Sequence, residues 1–539
     1  MSPAYLVTAA EMRAIEAEEA TRGKTSEVLM ERAGRSVADD VIRRAGADGP
    51  HKVLVLAGPG NNGGDGLVVA RLLAQEGFQV RCLTWSRTTQ GDDRLQAPLR
   101  SLSVPIEPAS VATLEAALGW CTIVVDGLLG TGIKRDVEGE LARIVRRVAT
   151  SGRKTIAVDI PTGVDSDTGA VRGIALPCRY TVALGLLKYG HILQPGATLS
   201  GEITLGDIGI SEQTGARIAS GQLLDTAAVR ALLPDRPADS NKGTFGKAMI
   251  VAGSVNYLGA PVLATQGALR SGAGLVTLAC AGDLLGLMAP RLTESTFLPL
   301  PSDLGAISGR AVDKLREALE GYAALLIGCG LGKDKETAAF IKGLFASKAE
   351  AESDRHIGFA ARAVEHAPEQ ESARQELPPL VLDGDALNFL SEIDGWHTLV
   401  PENSVLTPHP GEMARLLGRT VEEVQSDRVT VARNAAADWK QIVVLKGAAT
   451  LIAEPSGKIY TSPFSNPALA TAGTGDVLAG TIVGLLAQGL TPVNAACAGV
   501  YLHGLAGELL REEYGPAGGL AGDLPVLLAR AQKQVRGNA

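Results

Sequence analysis

Short apolar runs alternate with longer amphipathic stretches along most of the chain. The run Lys52–Ala57 (KVLVLA) leads into a glycine-rich turn and a helical pattern, and QVRCLTW, TIVVD and TIAVD are followed in the same way. Repeated strand, loop and helix units build a doubly wound parallel sheet, whose ligands bind at the carboxyl ends of the strands. The pattern therefore predicts an α/β fold, with Asp126 and Asp159 at two of these strand ends.

The regularity lapses between about residues 211 and 243, where prolines and mixed charges occur. A second series of strand-to-loop junctions follows in KAMIVAGS, LVTLA, ALLIG, LVLDGDAL, SVLTPHPGE and IVVLKG. Boundaries between domains fall in such irregular segments, and we therefore place the two domains at residues 1–225 and 226–539. No period relates the two series, which excludes a duplication.

Two other segments depart from the alternation. A capping-box pattern at Thr8 and Glu11 precedes the first series and predicts two leading helices. Residues Ser347–Leu377 are charged and poor in apolar positions, and they interrupt the second series. Such a segment cannot contribute much to a core, and we expect a solvated surface insertion.

Composition narrows the class of protein. The chain has 539 residues, of which 45% are hydrophobic and 20% charged, and its net charge of −8 argues against nucleic acid as a partner. Its apolar runs fall short of the roughly 18 residues of a membrane helix, and its first residues do not resemble a signal peptide. We expect a soluble cytoplasmic protein without a membrane partner. The six cysteines are scattered, which favours buried thiols over disulfides or a zinc site.

Polar loops follow the strands of the first series. They are 61–66 (NNGGDG), Asp126 with 130–132 (GTG), and 159–165 (DIPTGVD). Each alone has an ordinary explanation, because NG turns are common and a strand-ending Asp often caps a helix. Together they would bring amides, hydroxyls and carboxylates to one crevice.

The residues of these loops limit the kinds of ligand that the first series could bind. Asn62, Asp126 and Thr162 offer only oxygen ligands, which suits a hard cation and excludes a zinc-type or copper-type site. The fingerprint G-x-G-x-x-G is absent from the first turn, which disfavours an NAD dehydrogenase but leaves room for another phosphate-bearing ligand.

The segment 466–480 (NPALATAGTGDVLAG) carries a different chemistry. Gly473, Gly475 and Gly480 surround Asp476, and a helical pattern follows. Bare N–H groups at a helix start bind phosphate-type anions, and a carboxylate there repels the anion unless it takes a proton from the reacting group. The alternative is a glycine-rich turn with Asp476 as helix cap.

The second series contains other candidate functional residues, and each of them alone is weak evidence of a site. Lys446 ends a strand, where it suits a phosphate contact or reaches solvent. His409 lies between two prolines that stiffen its loop, so its role is structural or it stacks on a ligand ring. Residues 328–332 (GCGLG) form a second glycine-rich turn after a strand.

These motifs carry a resemblance to two enzyme families. NNGGDG, DGLLGTG and DIPTGVDSDTG resemble the NAD(P)H-hydrate epimerases, whereas KGAAT, TPHPGEMAR and NPALATAGTGD resemble the ADP-dependent NAD(P)H-hydrate dehydratases of the ribokinase-like superfamily. The resemblance implies an N-terminal Rossmann-like doubly wound domain and a C-terminal ribokinase-like domain. It also implies repair of NADHX and NADPHX, the hydrated cofactors: the first domain interconverts the R and S epimers at C6, and the second dehydrates the S form at the expense of ADP, giving AMP and phosphate. We expect these small molecules as substrates and a homo-oligomer as the assembly.

The resemblance also implies site residues in the first domain. Asp159 would be the acid/base, and Asn62, Asp126 and Thr162 would hold K⁺, with Thr162 replacing the more usual serine. The substrate would contact Asn61, Asn62, Gly63, Gly64, Asp65, Gly130, Thr131, Gly132, Ile133, Lys134, Arg135 and Asp136.

In the second domain the resemblance assigns Asp476 as the base that activates the C6 hydroxyl toward the terminal phosphate of ADP, which would carry Mg²⁺. Phosphate leaves more easily than hydroxide, and this is the reason to couple elimination at C6 to phosphoryl transfer from ADP. Gly384 stands where the family leads us to expect Ala. The hydrate would contact Asp476, Gly330, His409, Pro410, Gly411, Glu412 and Arg415, and the nucleotide Lys446, Gly447, Ala448, Ala449, Thr450, Asn466, Thr471, Gly473, Thr474 and Gly475.

Two other functions fit part of the sequence. A small-molecule kinase would use GTGD in the same way on a hydroxymethyl or thiazole alcohol, but it leaves NNGGDG and DIPTG unexplained. A non-catalytic binding protein would dock a partner through its first domain. The presence of Asp159, Lys446 and Asp476 together argues against that second alternative.

Overall fold

A computed structural model of the chain describes residues 4–46, 51–87, 93–345 and 377–537. The chain divides into two compact units, Met1–Leu223 and Leu224–Ala539. The surface insertion expected at Ser347–Leu377 lies, apart from its last residue, outside the described residues.

The first unit is built on a parallel sheet. Its strands are β1 (Ala4–Val7), β2 (Lys52–Ala57), β3 (Gln79–Thr84), β4 (Ile106–Pro108), β5 (Ile123–Gly127), β6 (Lys154–Val158), β7 (Tyr180–Leu184), β8 (Leu187–Lys188), β9 (Glu202–Gly206) and β10 (Gly221–Leu223). Strands β4, β3, β2, β5, β6, β7 and β9 lie side by side in that order, each parallel to its neighbour. β1 pairs antiparallel with β10 and parallel with β8.

Helices cover both faces of this sheet. They are α1 (Ala9–Thr21), α2 (Ser26–Ala45), α3 (Asn61–Gln75), α4 (Gln96–Ser101), α5 (Val111–Trp120), α6 (Gly139–Ala149), α7 (Gly196–Ser200) and α8 (Glu212–Ile218). Successive residues of β2 enter different cores: Val53 and Val55 pack in one hydrophobic cluster, Leu54 and Leu56 in another. Both faces of the strand are buried because side chains alternate along it.

The strand order reverses between β2 and β5, which are neighbours although β3 and β4 lie between them in sequence. The loops that follow these two strands diverge at such a point and leave a crevice at the carboxyl edge of the sheet. The glycine-rich turns after β2 and β5 open on this crevice.

The second unit has a longer sheet. Its strands are β11 (Lys247–Val251), β12 (Leu275–Ala281), β13 (Thr296–Leu300), β14 (Ser302–Asp303), β15 (Ala306–Ile307), β16 (Ala324–Ile327), β17 (Leu380–Leu382), β18 (Val405–Leu406), β19 (Ile442–Leu445), β20 (Leu451–Ala453) and β21 (Ile459–Thr461). The order is β13, β12, β11, β16, β17, β18, β19, β20, β21; it is parallel as far as β19 and antiparallel beyond. β14 and β15 form a separate hairpin.

The helices of the second unit are α9 (Thr226–Leu232), α10 (Gly259–Ser271), α11 (Leu285–Met288), α12 (Ala311–Ala318), α13 (Lys335–Phe345), α14 (Asp385–Leu390), α15 (Pro410–Leu417), α16 (Val421–Ser426), α17 (Arg428–Trp439), α18 (Thr474–Ala487), α19 (Pro492–Gly518) and α20 (Leu524–Arg536). Short 3₁₀ turns lie at Tyr189–His191 in the first unit and at Lys242–Phe245, Gly282–Leu284, Ala289–Arg291, Trp396–Thr398 and Pro467–Leu469 in the second. In the described ranges, none of the helices is both long and apolar enough to cross a bilayer.

Helices α10 and α18 pack with their backbones in contact. A Cβ on Gly480 would lie 1.9 Å from the carbonyl oxygen of Ala264, and one on Gly267 would lie 2.5 Å from that of Val477. No side chain fits in such a space, so glycine is required at both positions. Gly480 therefore serves packing, and the start of α18 is fixed by its contact with α10.

The predicted strands are found where the apolar runs stand, and both units are α/β as expected. The two leading helices are also present, and Thr8 forms the expected capping box with Glu11. All six cysteines are buried free thiols.

Candidate functional sites

A cavity of about 730 Å³ opens at the β2/β5 crevice of the first unit. The predicted residues that line it are Asn61, Asn62, Asp65, Gly130, Thr131, Gly132, Ile133 and Asp159. Gly63 and Gly64 are buried within α3. Lys134, Arg135 and Asp136 are exposed and do not line the cavity.

Asp159 follows β6 in the left-handed backbone region, with φ of +63°. A non-glycine residue pays a conformational cost there, and such strain is common at functional sites. Its Oδ1 accepts hydrogen bonds from the N–H of Leu184 at 2.9 Å and from Nζ of Lys188 at 2.5 Å. Oδ2 has no hydrogen-bond partner among the described residues, so it is free to face the cavity.

Lys188 and His191 support Asp159 from behind. The Lys188 side chain is only 1% exposed, and its ammonium also donates to the carbonyl of Leu184. His191 accepts from the N–H of Lys188 at Nδ1, so its Nε2–H donates to the carbonyl of Asp159 at 2.7 Å. Burial and the nearby ammonium lower the pKa of His191 to about 4, and the ring is therefore neutral at pH 7. The sequence predicted neither residue.

Two further carboxyls line the same cavity. Asp65 is 8% exposed, and burial, followed by the charges of Asp159 and Glu16, raises its pKa well above the ordinary value. Burial also raises the pKa of Glu16 in α1. The cavity therefore holds three carboxyls in different environments.

Asp126, Thr162 and Asn62 meet beside the loop after β5. Asp126 is fully buried, and it accepts from the N–H and the hydroxyl of Thr162 at 2.8 and 2.7 Å. Asn62 donates its amide to the carbonyl of Leu129, whose N–H donates to the Thr162 hydroxyl. Burial raises the pKa of Asp126, and no cationic side chain in the described ranges pairs with it. The cluster is thus rich in oxygen atoms, and none of the cationic side chains that the structure describes pairs with its carboxylate.

In the second unit Asp476 lies in the first turn of α18, after Gly473 with φ of +94°. Ligand atoms of Asp476, Asp383 and Cys329 all lie within 4.8 Å of one another. Burial and the neighbouring Asp383 raise the pKa of Asp476 to about 7. A carboxyl with that pKa is suited to accept a proton near neutral pH.

Asp383, at the end of β17, connects the predicted residues. Its Oδ1 accepts from Nζ of Lys446 at 2.7 Å and from the hydroxyl of Thr407 at 2.6 Å, while the Cys329 thiol lies 3.6 Å from Oδ2. Although burial opposes the charge on Lys446, the carboxyls of Asp383 and Glu412 raise its pKa above the ordinary value. This lysine does not reach into solvent; it is held in the site.

His409 is the N-cap residue of α15. Its Nδ1 accepts from the N–H of Gly411, and Glu412 accepts from the His409 N–H at 2.7 Å in return. Burial, followed by the neighbouring cations, lowers the pKa of His409, whereas burial raises the pKa of Glu412 to about 7. A structural role for His409 is thus observed, and its half-exposed ring leaves contact with a ligand open.

A chain of polar contacts extends from this group. Arg415 donates to Asn388, which donates to Asp385, and the other oxygen of Asp385 accepts from the N–H of Gly332. The neighbouring Gly330 has φ of +63° and accepts from the Ser254 hydroxyl. Arg415 and Gly330 are therefore each held by polar contacts, through Asn388 and Ser254 respectively.

The loop that links β19 to β20 is shaped by Arg428. Its guanidinium donates to the carbonyls of Ala448 and Leu445, at 2.6 and 3.1 Å. The Thr450 hydroxyl bonds to both the N–H and the carbonyl of Gly447. Side chains here hold the backbone, so the loop offers main-chain groups and not hydroxyls to a ligand.

The 466–475 segment is held in the same way. Asn466 donates to the carbonyl of Gly507 and accepts from the N–H of Ala468, which occupies both ends of its amide. The Thr474 hydroxyl bonds to the carbonyls of Leu469 and Thr471, and the buried His503 contacts the Thr474 carbonyl. Thr471 itself is exposed.

Sequence reasoning missed several residues of the two sites, notably Asp383, Arg428, Lys188 and His191. A signal existed for Asp383, which ends a strand as Asp126 and Asp159 do. No pattern pointed to Lys188, His191 or Arg428, because each bonds to a group 17 to 32 residues away in sequence: Asp159 for Lys188 and His191, and the carbonyls of Leu445 and Ala448 for Arg428.

Comparisons with known proteins identify families that match each of the two units. Residues 26–190 match the family profile described as YjeF-related protein N-terminus, and residues 248–528 match that described as NAD(P)H-hydrate dehydratase. The bifunctional NAD(P)H-hydrate repair enzyme of Moorella thermoacetica is 38% identical over 98% of this chain and 98% of its own. That of Thermofilum pendens is 35% identical over 98% and 96%. The crystal structure of an ADP/ATP-dependent NAD(P)H-hydrate dehydratase from Bacillus subtilis, co-crystallised with ATP and Mg²⁺, is 32% identical and covers 58% of this chain and 97% of its own, with a TM-score of 0.46.

The fold and the two sites define an α/β enzyme in which a Rossmann-like unit precedes a ribokinase-like unit. The chain belongs to the family of bifunctional NAD(P)H-hydrate repair enzymes, which combine an epimerase with a dehydratase. The family resemblance stated from the motifs is confirmed.

Proposed function

We propose that residues 1–225 form the epimerase domain and residues 226–539 the ADP-dependent dehydratase domain, each with its own site. The first would interconvert R-NAD(P)HX and S-NAD(P)HX, and the second would convert the S form to NAD(P)H. The observation that carries the proposal is Asp476: a carboxyl with a pKa of about 7 at the glycine-lined start of a buried helix, beside Lys446.

Asp476 would take the proton of the C6 hydroxyl while the oxygen of that hydroxyl attacks the terminal phosphorus of ADP. The bond between that phosphorus and the bridging oxygen then breaks and AMP leaves. The C6–O bond breaks next: phosphate departs with the electron pair, and loss of a proton from C5 gives the dihydronicotinamide. Phosphate is a good leaving group, and coupling the two steps removes the difficult part of the barrier.

The nucleotide site is supported by shape and charge. A Cβ on Gly475 would lie only 3.4 Å from Nζ of Lys446, so glycine leaves the N–H groups of the helix start open beside an ammonium. Amides and a cation in this arrangement suit a diphosphate. We place ADP along Lys446–Thr450 and Asn466–Gly475, mainly on backbone groups, and Mg²⁺ bound to its phosphates would add neutralising charge. Gly330 and His409–Arg415 would contact the hydrate.

Because Asp476 acts in its ionised form, dehydration should depend on pH. Its raised pKa of about 7 means that the active form is lost as pH falls through 7. We expect kcat/KM for the hydrate to be level above pH 8 and to fall about tenfold for each unit well below pH 7. Initial rates between pH 5.5 and 9 at fixed ADP measure this. A profile flat from pH 6 to 8 would contradict the role of Asp476.

In the epimerase domain Asp159 would be the acid/base, and the loops at Asn61–Asp65 and Gly130–Ile133 would hold the substrate. Lys134, Arg135 and Asp136 would meet it only toward the outside of the cavity. The oxygen-rich cluster of Asn62, Asp126 and Thr162 fits K⁺, because its buried carboxylate lacks a cationic partner within the described residues. K⁺ held there would supply positive charge next to the substrate loops.

Substitution of Thr162 tests the K⁺ site. Thr162→Val keeps the shape but removes the hydroxyl, and Thr162→Ser keeps the hydroxyl. We expect the K⁺ concentration for half-maximal epimerisation to rise at least about tenfold in the valine variant and to change little in the serine variant. The titration uses KCl against choline chloride at constant ionic strength. Equal K⁺ dependence in all three proteins would exclude Thr162 as a ligand; dehydration of S-NADHX in the same samples reports intact protein.

The whole assignment is tested by mixing the protein with both NADHX epimers, ADP, Mg²⁺ and K⁺, and following dihydronicotinamide absorbance and phosphate. Complete recovery of both epimers, with phosphate equal to NADH, is the expected result. Recovery that stops when the S form is consumed would remove the epimerase assignment. A stable phosphoester product would indicate a small-molecule kinase, and binding without turnover a binding protein.

A further inference from the structure

Two carboxyls in the epimerase cavity have opposite surroundings. Asp159 is held by an N–H and by the buried ammonium of Lys188, both on Oδ1. Asp65 is 8% exposed and lines the same cavity, yet its carboxyl has neither a hydrogen bond nor an ion pair with any residue in the described ranges. A buried carboxyl without a partner is disfavoured in its charged form. The fold thus compensates the charge of Asp159 and not that of Asp65.

The other titratable groups around the cavity strengthen this difference. Glu16 and Arg13 project from α1 onto the lining, and His191 behind Asp159 is neutral at pH 7. Arg87 is paired with Asp93 and donates to the backbone of the turn before α3. Three carboxyls therefore line the cavity together with one fully buried lysine, Lys188, whose ammonium pairs with Asp159. When like charges are close, the group with the poorest solvation keeps its proton.

We propose that Asp65 and Asp159 act as an acid–base pair in this cavity, Asp65 as the proton donor to the C6 oxygen that leaves and Asp159 as the acceptor from the water that enters. The inference deepens the proposed epimerase function and rests on it. Asp65 then becomes a catalytic residue and not only a substrate contact.

Epimerisation would break the C6–O bond on one face of the ring and form a new one on the other. The Asp65 proton passes to the C6 hydroxyl, the C6–O bond breaks, and water leaves with the electron pair while the lone pair of the ring nitrogen N1 forms a C6=N1 double bond. A second water attacks C6 from the opposite face and gives a proton to Asp159 as N1 recovers its lone pair. One water is released and one consumed, and a proton has moved from Asp65 to Asp159. The reverse epimerisation moves it back, and between turnovers in the same direction exchange with solvent water would return the proton to Asp65.

A single carboxyl is poorly suited to this inversion. The proton is needed on the face from which the hydroxyl leaves and must be removed on the other face, where a group in the same protonation state cannot serve. A carboxyl without a partner among the described residues, Asp65, and a carboxyl that accepts from an ammonium, Asp159, supply the donor and the acceptor in one cavity.

The test uses the full chain with R-NADHX and K⁺ in H₂¹⁸O, without ADP. We expect the wild-type protein to incorporate one solvent oxygen at C6 for each inversion, measured by mass spectrometry after subtraction of the uncatalysed rate. Asp65→Asn should lower both inversion and exchange at least about 100-fold, because the amide cannot donate the proton. Asp65→Glu should retain part of the rate. Asp39→Asn, an exposed carboxyl on α2, is the matched control and should behave as wild type.

The outcomes separate the inference from the function on which it rests. Failure of the wild-type protein to interconvert the epimers would remove the epimerase assignment itself. Inversion without ¹⁸O incorporation would mean that the bond between C6 and the ring nitrogen N1 breaks and the C6–O bond stays intact. That result would overturn the inference but not the epimerase assignment. The same holds if Asp65→Asn keeps more than a tenth of the wild-type rate. S-NADHX dehydration and the thermal unfolding profile confirm that each variant is folded.

Discussion

Asp476→Asn should slow dehydration strongly while leaving nucleotide binding almost unchanged. The amide has the size of the carboxyl but cannot take the proton from the C6 hydroxyl, and loss of a general base costs roughly 10²–10⁴ in rate. We expect kcat to fall about 10³-fold. Removal of a negative charge beside the diphosphate should leave ADP affinity equal or slightly stronger. Single-turnover dehydration of S-NADHX and equilibrium titration of ADP measure the two effects.

A matched control for this variant is Asp313→Asn. Asp313 also lies in the first turn of a helix, α12, but it is exposed and outside the site. Its substitution should leave both dehydration and ADP affinity at wild-type values. Dehydration by Asp476→Asn within tenfold of wild type would remove Asp476 from the chemistry, and a parallel loss of ADP binding would make it a binding residue instead.

Lys446→Met should damage both stability and binding. The ammonium lies 2.7 Å from Asp383 and 3.8 Å from Glu412, and the substitution leaves two buried carboxyls without their cation. Loss of one partner of a buried ion pair typically costs about 3–5 kcal/mol in the free energy of unfolding. The diphosphate would lose its main cationic contact as well, and we expect dehydration at subsaturating ADP to fall about 10²–10³-fold.

Thermal unfolding of the full chain measures the first effect, in the transition that ADP shifts in the wild-type protein. Lys440→Met is the control, because Lys440 is an exposed lysine paired with the exposed Glu402 in the same unit. A surface pair of this kind contributes little, and the control should unfold as wild type. If the Lys446→Met and Lys440→Met variants unfold at the same temperature, the buried Lys446–Asp383 pair contributes no more to stability than a surface pair.

Strand positions could be predicted well because the apolar runs are short, rich in β-branched residues and bounded by glycines. Lys52–Ala57 is a strand over the predicted range, and TIVVD and TIAVD end at the edge where the sites lie. Asp383 carries the same strand-end signal as Asp126 and Asp159, because it directly follows the strand of LVLDGDAL. The structure makes Asp383 the residue that joins Lys446 to Cys329.

Partners that are distant in sequence could not be predicted. Nothing in the segment LLKYGH distinguishes Lys188 from a surface lysine. Only the folded structure shows that its ammonium forms an ion pair with Asp159. Similarly, Asn466 and Thr450 lie in segments assigned to the nucleotide, but their polar atoms bond to the backbone of the same unit. A motif identifies a segment that contacts a ligand and does not say whether side chain or main chain makes the contact.

The backbone contact between α10 and α18 has a consequence for natural variation in this chain. Gly480 and Gly267 lie at the contact between the two helices, and a single added methyl group at either would push α18 away and displace Asp476 with it. A variant enzyme isolated for lost repair activity could therefore carry its change in a glycine of this helix contact. Such an allele would look catalytic in a genetic screen, although its primary defect is one of helix spacing.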